Sequence, residues 1–239
     1  MIKFIIPRNP PDDKFDEYLK SSLDKILGPE VEYYEIFNNN LADSIFKKFN
    51  IGIDYYTTNS SENDILCFIH SDVKILDENF VKKVQLVFEK KKNIGVLGLI
   101  GTKEFHSTGG WWLCDHSLHF GRLIQGQPGS NGKQTYEMNR GVGFSSDMVA
   151  VDGFCFFTTV KIANEIRFDE KLQGYHFYDY DFCFSVLEKG YKVAVADILL
   201  GHASEGPMPA SWHINKVKFI NKWTAKGYNF PLTAKSFNK

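Results

Sequence analysis

The sequence has neither a long apolar run nor a paired set of cysteines. Its longest apolar stretch, residues 94–100, is far shorter than the ~20 residues that a membrane-spanning helix needs. The segment before Pro7 is too short for the apolar region of a signal peptide. The four cysteines form no C-x-x-C pair, and three lie in apolar segments, which favours buried free thiols in a reducing compartment. These absences predict a soluble, cytoplasmic protein without a transmembrane segment.

The chain also has no excess of charge of either sign. Its formal net charge of −1 gives no reason to expect nucleic acid as a partner. A hydrophobic content of 43% and a charged content of 24% are ordinary for a globular protein, and 239 residues suit one large α/β domain or two small ones. Aromatic residues make up 15%, which indicates an aromatic-rich core or surfaces that stack on sugars.

Apolar and amphipathic segments alternate along the chain. The apolar segments predict strands at residues 2–6, 31–37, 65–69, 94–100, 149–157 and 192–198. The amphipathic segments predict helices at residues 12–27, 41–56, 80–88, 160–166 and 179–189. This alternation is typical of βαβ units and predicts an α/β fold with a mainly parallel central sheet flanked by helices.

The regular pattern stops between residue 101 and about residue 148. This segment is rich in glycine and includes Trp111 and Trp112. A long insertion without secondary structure in a compact domain is usually functional or disordered, and tryptophans argue against disorder. We therefore expect an irregular but functional insertion.

One predicted strand ends in residues that can bind a metal ion or a phosphate. Residues 65–69 are apolar without alternation, as in a strand buried on both faces, and His70, Ser71 and Asp72 follow directly. In open parallel sheets, ligands bind beyond the carboxyl ends of the strands. A turn in which Asp72 caps the next helix explains these residues equally well. Only the other motifs distinguish the two interpretations.

Further motifs follow in the same order as in a known family. They are Pro7-Arg8-Asn9, Asn38, Asn50-Ile51-Gly52, His70-Ser71-Asp72-Val73, Val151-Asp152-Gly153-Phe154, Phe168-Asp169-Glu170 and Tyr178-Asp179-Tyr180-Asp181-Phe182-Cys183. Over residues 1–205 this set resembles the nucleotide-sugar glycosyltransferases of the GT-A superfold, in the family 2-like subgroup with an H-x-D-V strand end. Two positions depart from the family pattern, because His70 replaces an aspartate and Tyr178 replaces a glutamate.

The resemblance implies transfer of a sugar, with inversion, from a nucleoside-diphosphate sugar to a hydroxyl acceptor, and a glycan, a glycolipid and a small molecule all remain open as that acceptor. A UDP-sugar is the expected donor. The Q-x-x-R-W motif of processive relatives is absent, which favours addition of a single sugar. A divalent cation would neutralise the leaving diphosphate, and the resemblance implies Asp72 and His202 as its ligands. A mixed oxygen and imidazole set suits Mn²⁺ better than Mg²⁺.

The resemblance also implies roles for other residues. Asp179 is the expected general base, with Asp181 as the alternative, although the helix dipole alone would favour carboxylates at these positions. His202 could instead be a loop histidine, and His70 could bind the nucleotide or only the backbone. The expected donor-binding residues are Pro7, Arg8, Asn9, Asn38, Asn50, His70 and Asp72. The expected acceptor- or sugar-binding residues are Trp111, Trp112, Asp152 and Gly153.

We expect one GT-A-like domain with a nucleotide-binding half (1–100), an acceptor-side half (101–205) and a basic helix and tail (206–239). No acidic residue follows Glu205, whereas six lysines do. These lysines form a solvated face, or they contact a diphosphate or an anionic membrane surface.

Two other functions remain open. A nucleotidyltransferase is disfavoured because the turn after the first strand has no glycine. A catalytically silent carbohydrate-binding module with the same fold is the second alternative.

Overall fold

The computed structural model describes residues 1–8, 14–27, 32–37, 44–126, 136–204 and 208–238. Two expected donor contacts, Asn9 and Asn38, lie outside the described residues. The strands are β1 (Ile2–Arg8), β2 (Tyr33–Phe37), β3 (Ile65–Ile69), β4 (Val73–Ile75), β5 (Ile94–Gly98), β6 (Ile100–Thr102), β7 (Glu104–Phe105), β8 (His119–Gln125), β9 (Tyr136–Asn139), β10 (Phe144–Met148), β11 (Ala150–Val151), β12 (Cys155–Thr159), β13 (Lys192–Ala196), β14 (Leu200–His202) and β15 (Leu232–Thr233). The helices are α1 (Ser21–Leu27), α2 (Ile45–Asn59), α3 (Phe80–Lys90), α4 (Val160–Ile166), α5 (Tyr178–Glu188) and α6 (Ala210–Ala225).

A central sheet contains seven of the described strands, in the order β10-β13-β5-β12-β3-β1-β2. β1 pairs in parallel with β2 and β3, and β5 pairs in parallel with β13. β12 runs antiparallel to its neighbours β3 and β5, and β10 runs antiparallel to β13. Five strands therefore run in one direction and two in the other. Every residue of β3 and β5 is buried, which is the reason for their continuous apolar sequences.

Helix α2 packs closely against β1, and this contact explains its glycine. The Ser44 hydroxyl caps the helix by accepting a hydrogen bond from the Lys47 amide. A Cβ atom on Gly52 would lie 2.5 Å from Cγ2 of Ile5. The glycine weakens the helical pattern in the sequence, but it allows the helix to approach the sheet.

Residues 101–148 are more regular than the sequence analysis predicted. β6 and β8 belong to a second sheet in the order β11-β6-β8-β14-β4, with β9 paired to β8, and β10 belongs to the central sheet. Side chains along β8 alternate between buried and half-buried, as expected for a strand with one covered face. The strands in this segment are short and separated by glycines, so the sequence has no long run of alternating apolar residues that would predict them. The described part of this insertion therefore contains short strands that the sequence analysis did not predict.

Helix α6 packs against α5, and two lysines of the basic tail form ion pairs there. Phe219 and Trp223 of α6 contact Phe184 of α5, with ring centroids 5.3 Å and 5.2 Å apart. Lys222 pairs with Asp169 and Asp181 at 2.8 Å and 2.7 Å, and Lys226 pairs with Glu188 at 2.6 Å. These partners reduce the positive charge that the tail could offer to a diphosphate or a membrane.

One hydrophobic cluster extends from Ile2 in β1 to Phe237 near the carboxyl end. All four cysteines are buried in the protein as free thiols, as expected. Among the described residues, no helix has the length and apolarity that crossing a membrane requires.

Candidate active site

Three potential metal ligands meet at the end of β3. His70 follows the last residue of β3, and Asp72 precedes β4. β14 pairs antiparallel with β4 so that His202 lies opposite Val73, and the Ala203 amide donates to the Asp72 carbonyl at 3.0 Å. One ligand atom from each of His70, Asp72 and His202 lies within 4.8 Å of the other two. The strand end and a distant strand thus form one cluster, which we call the His-Asp-His triad.

The antiparallel direction of β12 brings a second motif to the same edge of the sheet. Because β12 runs against β3, the Asp152-Gly153 turn before β12 lies beside His70 after β3. Oδ2 of Asp152 accepts from the Trp111 indole at 2.7 Å, and Oδ1 accepts from the Phe154 amide at 3.1 Å. The carboxylate of Asp152 therefore has a fixed orientation at the edge of the triad.

The triad and the Asp152-Gly153 turn face one open cavity of about 510 Å³. Its size is within the range of small-molecule sites, roughly 300–1,000 Å³. The walls are rich in aromatic side chains with a few polar groups. The lining residues are Ile45, His70, Asp72, Trp111, Trp112, Gln125, Met138, Asp152, Gly153, Tyr175, His176, Phe177, Tyr178, Asp179, Tyr180, His202, Ser204 and Trp212.

The protonation of the triad suits a cation. Burial lowers the pKa of His70 to about 4, against the opposing charge of Asp72, so this imidazole is neutral at pH 7. Burial raises the pKa of Asp72, but the neighbouring imidazoles of His202 and His70 outweigh it, and the net pKa falls to about 2. At pH 7 the triad therefore presents the ionised carboxylate of Asp72 and the neutral imidazole of His70.

His202 gives an independent indication of a missing partner. Both of its ring nitrogens are buried, and neither makes a hydrogen bond to any described residue. Nε2 lies 3.5 Å from Oδ1 of Asp72, too long for a well-formed hydrogen bond. Buried polar atoms without partners are rare in proteins, so they point to a group that the protein alone does not supply. Carboxylate and imidazole ligands fit a divalent cation such as Mn²⁺.

Asp179 is the carboxylate of α5 that faces the cavity. Burial raises its pKa well above the usual range, and the charge of Asp152 adds to this effect. Its Oδ1 accepts from the Tyr180 amide at 2.9 Å, at the amino end of the helix. A raised carboxyl pKa in a cavity is typical of an acid–base residue, although buried carboxylates also occur for structural reasons.

Asp181 does not line this cavity. Its carboxylate accepts hydrogen bonds from the Lys222 ammonium group at 2.8 Å and from the Trp223 indole at 2.9 Å. The side chain of Asp181 is 3% exposed. It fixes α6 to α5. The physical reason is helix periodicity, because residues two apart on a helix point to different sides. This geometry favours a structural role for Asp181, and its alternative role as the base stays a prediction.

Three expected donor-binding residues also lie away from the cavity lining. Asn50 is buried, donates to the Phe168 carbonyl at 2.9 Å and to Glu170 at 2.8 Å, and accepts from the Phe168 amide at 2.9 Å. Arg8 pairs with Glu35 and stacks on aromatic rings, and Pro7 belongs to β1. The geometry gives Asn50 a structural role, and the donor contact expected from the sequence stays a prediction.

Several cavity residues were not identified from the sequence. Tyr178 was noted only as a departure from the family pattern, yet its hydroxyl contacts both His70 and Gly153. Tyr175, Phe177 and Trp212 complete the aromatic walls. An aromatic residue in place of an acid was the available signal for Tyr178. The others come from loops and a distant helix, which no local pattern brings together.

The fold and site together define a class of protein. A solved structure of GalNAc-T7 with UDP, GalNAc and Mn²⁺ is similar to this chain with a TM-score of 0.55 and 12% identity. The alignment covers 92% of this chain and 47% of that chain, so this chain spans about half the length of its structural neighbour. The likeness confirms the expected α/β fold of the GT-A class.

The particular family follows from the sequence. Residues 5–228 match the glycosyltransferase-like family, and the chain belongs to that family. No curated protein matches the sequence.

Proposed function

We propose that this protein transfers a single sugar from a nucleoside-diphosphate sugar, with UDP as the expected nucleotide, to a hydroxyl group of a glycan or lipid-linked acceptor. The observation that carries this proposal is the shared cavity of the His-Asp-His triad and Asp179. Family membership supports sugar transfer. The UDP, GalNAc and Mn²⁺ in the similar structure support a nucleotide-sugar donor and a cation.

The triad fits a resident divalent cation, and Mn²⁺ is the expected metal. His70, Asp72 and His202 would hold it, and the unpartnered nitrogens of His202 are the sign of that fit. A cation bound there supplies positive charge that stabilises the departing diphosphate, an effect worth several kcal/mol.

Asp179 is the proposed general base. The acceptor oxygen forms a bond to the anomeric carbon as the bond from that carbon to the diphosphate breaks, and the hydroxyl proton passes to the Asp179 carboxylate. Displacement in one step inverts the anomeric centre. Asp152, oriented by Trp111, faces the same cavity and is the proposed ligand of sugar hydroxyls. The Trp111 and Trp112 walls provide apolar faces for sugar rings and help to exclude water.

The test combines donor turnover with calorimetry. We expect release of UDP when the protein is incubated with UDP-sugars and Mn²⁺ in a panel that also contains GDP- and dTDP-sugars. Titration with UDP should give heat only with Mn²⁺ present, and Asp72→Ala should abolish it. Asp147→Ala is the control, because this exposed carboxylate contacts Ser145 and Lys103 at the surface and does not line the cavity. Equal heats of UDP binding in Asp72→Ala and in the wild type would contradict the proposal that Asp72 is a metal ligand.

The same assays separate the alternative functions. Donor binding without released nucleotide identifies a binding module. Formation of a nucleotide sugar from a sugar phosphate and a nucleoside triphosphate identifies a nucleotidyltransferase. We further propose a cytoplasmic location, which the four free thiols favour. Peripheral contact of the remaining tail lysines with an anionic membrane stays a prediction.

A further inference from the structure

Tyr178 connects the proposed cation ligand His70 to the Asp152-Gly153 turn. Its phenol oxygen lies 2.6 Å from Nε2 of His70 and 2.9 Å from the carbonyl oxygen of Gly153. Tyr178 is buried at the start of α5, so both contacts are made inside the protein. The ring of Tyr178 packs against Phe46, Phe49 and Phe168, whereas its hydroxyl group makes the two polar contacts.

These two hydrogen bonds determine which atom carries each proton. A backbone carbonyl oxygen can only accept, so the phenol proton of Tyr178 is donated to Gly153. The phenol oxygen is then the acceptor for His70, and Nε2 of His70 must carry the donated proton. Because a neutral imidazole has one N–H group, the lone pair that remains for a cation is on Nδ1.

The glycine of the Asp152-Gly153 turn is explained by the same contact. A Cβ atom on Gly153 would lie 2.4 Å from the Tyr178 hydroxyl and 2.6 Å from its Cζ atom. Real Cβ atoms are not found so close to other heavy atoms. Glycine is therefore required for the tyrosine hydroxyl to reach both partners, whether or not it also contacts a sugar.

We propose that Tyr178 is a positioning residue that holds His70 as the Nε2–H tautomer and so presents Nδ1 to the divalent cation. The cation itself belongs to the proposed function, on which this inference rests, whereas the tautomer is a property of the metal-free protein. Hydrogen bonds of this kind orient a metal-binding ring and raise its basicity. Their loss typically costs ~10–100-fold in metal affinity.

The first experiment measures Mn²⁺ affinity by calorimetry in the absence of nucleotide. We expect Tyr178→Phe to raise the Kd for Mn²⁺ by ~10–100-fold. Tyr56→Phe is the matched control, because this buried tyrosine also contacts a backbone carbonyl, that of Phe4 at 3.3 Å, but does not line the cavity. Its Mn²⁺ affinity should equal that of the wild type. Circular dichroism establishes that each variant is folded.

The second experiment needs no variant. Nitrogen-15 NMR of the metal-free wild type should show a protonated Nε2 and an unprotonated Nδ1 in His70. Addition of Zn²⁺, a diamagnetic probe, should shift the Nδ1 resonance most. A protonated Nδ1, or wild-type Mn²⁺ affinity in a folded Tyr178→Phe protein, overturns the inference. If the wild type binds no Mn²⁺, the proposed cation site fails, and the metal-free spectrum still decides the tautomer.

Discussion

Asp179 and Asp181 lie two residues apart in α5, but their surroundings give them different chemistry. Asp179 faces the cavity, and its pKa is raised first by burial and then by the charge of another carboxylate, Asp152. Burial also raises the pKa of Asp181, but there the charge of Lys222 opposes the shift. One carboxyl group can therefore accept a proton during a reaction, whereas the other is committed to an ion pair.

The first prediction concerns the activity of Asp179. Asp179→Asn should retain binding of the nucleotide and lose at least about two orders of magnitude in transfer rate, since a general base contributes ~10²–10⁴-fold. Asp16→Asn is the control, because Asp16 is an exposed acid in the first turn of another helical segment. Released UDP measures the rate, and near-normal turnover in Asp179→Asn would exclude this residue as the base.

The second prediction concerns stability and pH. The pKa of Asp179 in the folded protein is raised above the reference value of 3.8. At a pH above 3.8, the folded state therefore binds more protons at this group than the unfolded state does. Stability from this group is therefore present at low pH and is lost as the pH rises towards the folded pKa. Asparagine does not titrate. We expect the stability of Asp179→Asn relative to wild type, measured by urea denaturation, to increase as the pH rises above about 4. A constant difference would contradict the raised pKa.

At the scale of elements, two buried amides hold the loop between α4 and α5. Asn50 of α2 binds the Phe168 backbone, and Asn215 of α6 donates to the carbonyls of Leu172 and Gln173. The same loop contains Phe177, which has a positive φ of 68° directly before Tyr178 and Asp179. Such a conformation costs about 1–3 kcal/mol in a non-glycine residue, so it needs support from its surroundings. The loop thus positions the start of α5.

The third prediction tests this role of Asn50. Asn50→Ala removes three hydrogen bonds and leaves the buried Phe168 amide and carbonyl without these partners. We expect the free energy of unfolding to fall by about 1–3 kcal/mol. Asn59→Ala is the control in the same helix, because the Asn59 amide donates to the Tyr55 carbonyl at an exposed position. Unchanged stability of Asn50→Ala together with weakened UDP binding would instead support the donor contact that the sequence analysis predicted for Asn50.

At the scale of the whole molecule, the cavity takes its walls from distant parts of the chain. His70 follows β3, β14 supplies His202, and α6 supplies Trp212. Helix α6 is fixed to α5 by Lys222, whose pKa is raised by Asp181 and Asp169 against the effect of burial. Loss of this ion pair would leave the nearly buried Asp181 carboxylate without its cation.

The fourth prediction concerns this link. Lys222→Met should lower the free energy of unfolding by about 3 kcal/mol, since breaking a buried ion pair from one side costs ~3–5 kcal/mol and Lys222 is partly exposed. Lys226→Met is the matched control at the carboxyl end of the same helix, because the ion pair of Lys226 with Glu188 is more exposed, at 39% and 37%. That change should cost at most about 1 kcal/mol. Denaturant unfolding measures both, and equal losses would contradict a special role for Lys222.

The sequence alone determined the α/β class, the strand that ends at His70 and the order of the motifs. These features depend on local patterns: a continuous apolar run predicts a buried strand, and helix α4 coincides with its predicted residues 160–166. The short strands within residues 101–148 were not predicted from the sequence. Segments of two to seven residues that are interrupted by glycine give no clear hydrophobic period.

Only the tertiary structure decided which of the candidate residues share a site. The antiparallel insertion of β12 brings Asp152 and Gly153 beside His70, and the pairing of β14 with β4 brings His202 beside Asp72. The same level of structure separated Asp179 from Asp181 and gave Tyr178 its two partners. A sequence motif specifies which groups are available. Strand direction and side-chain orientation, which depend on pairing between distant segments, determine which of those groups face the same cavity.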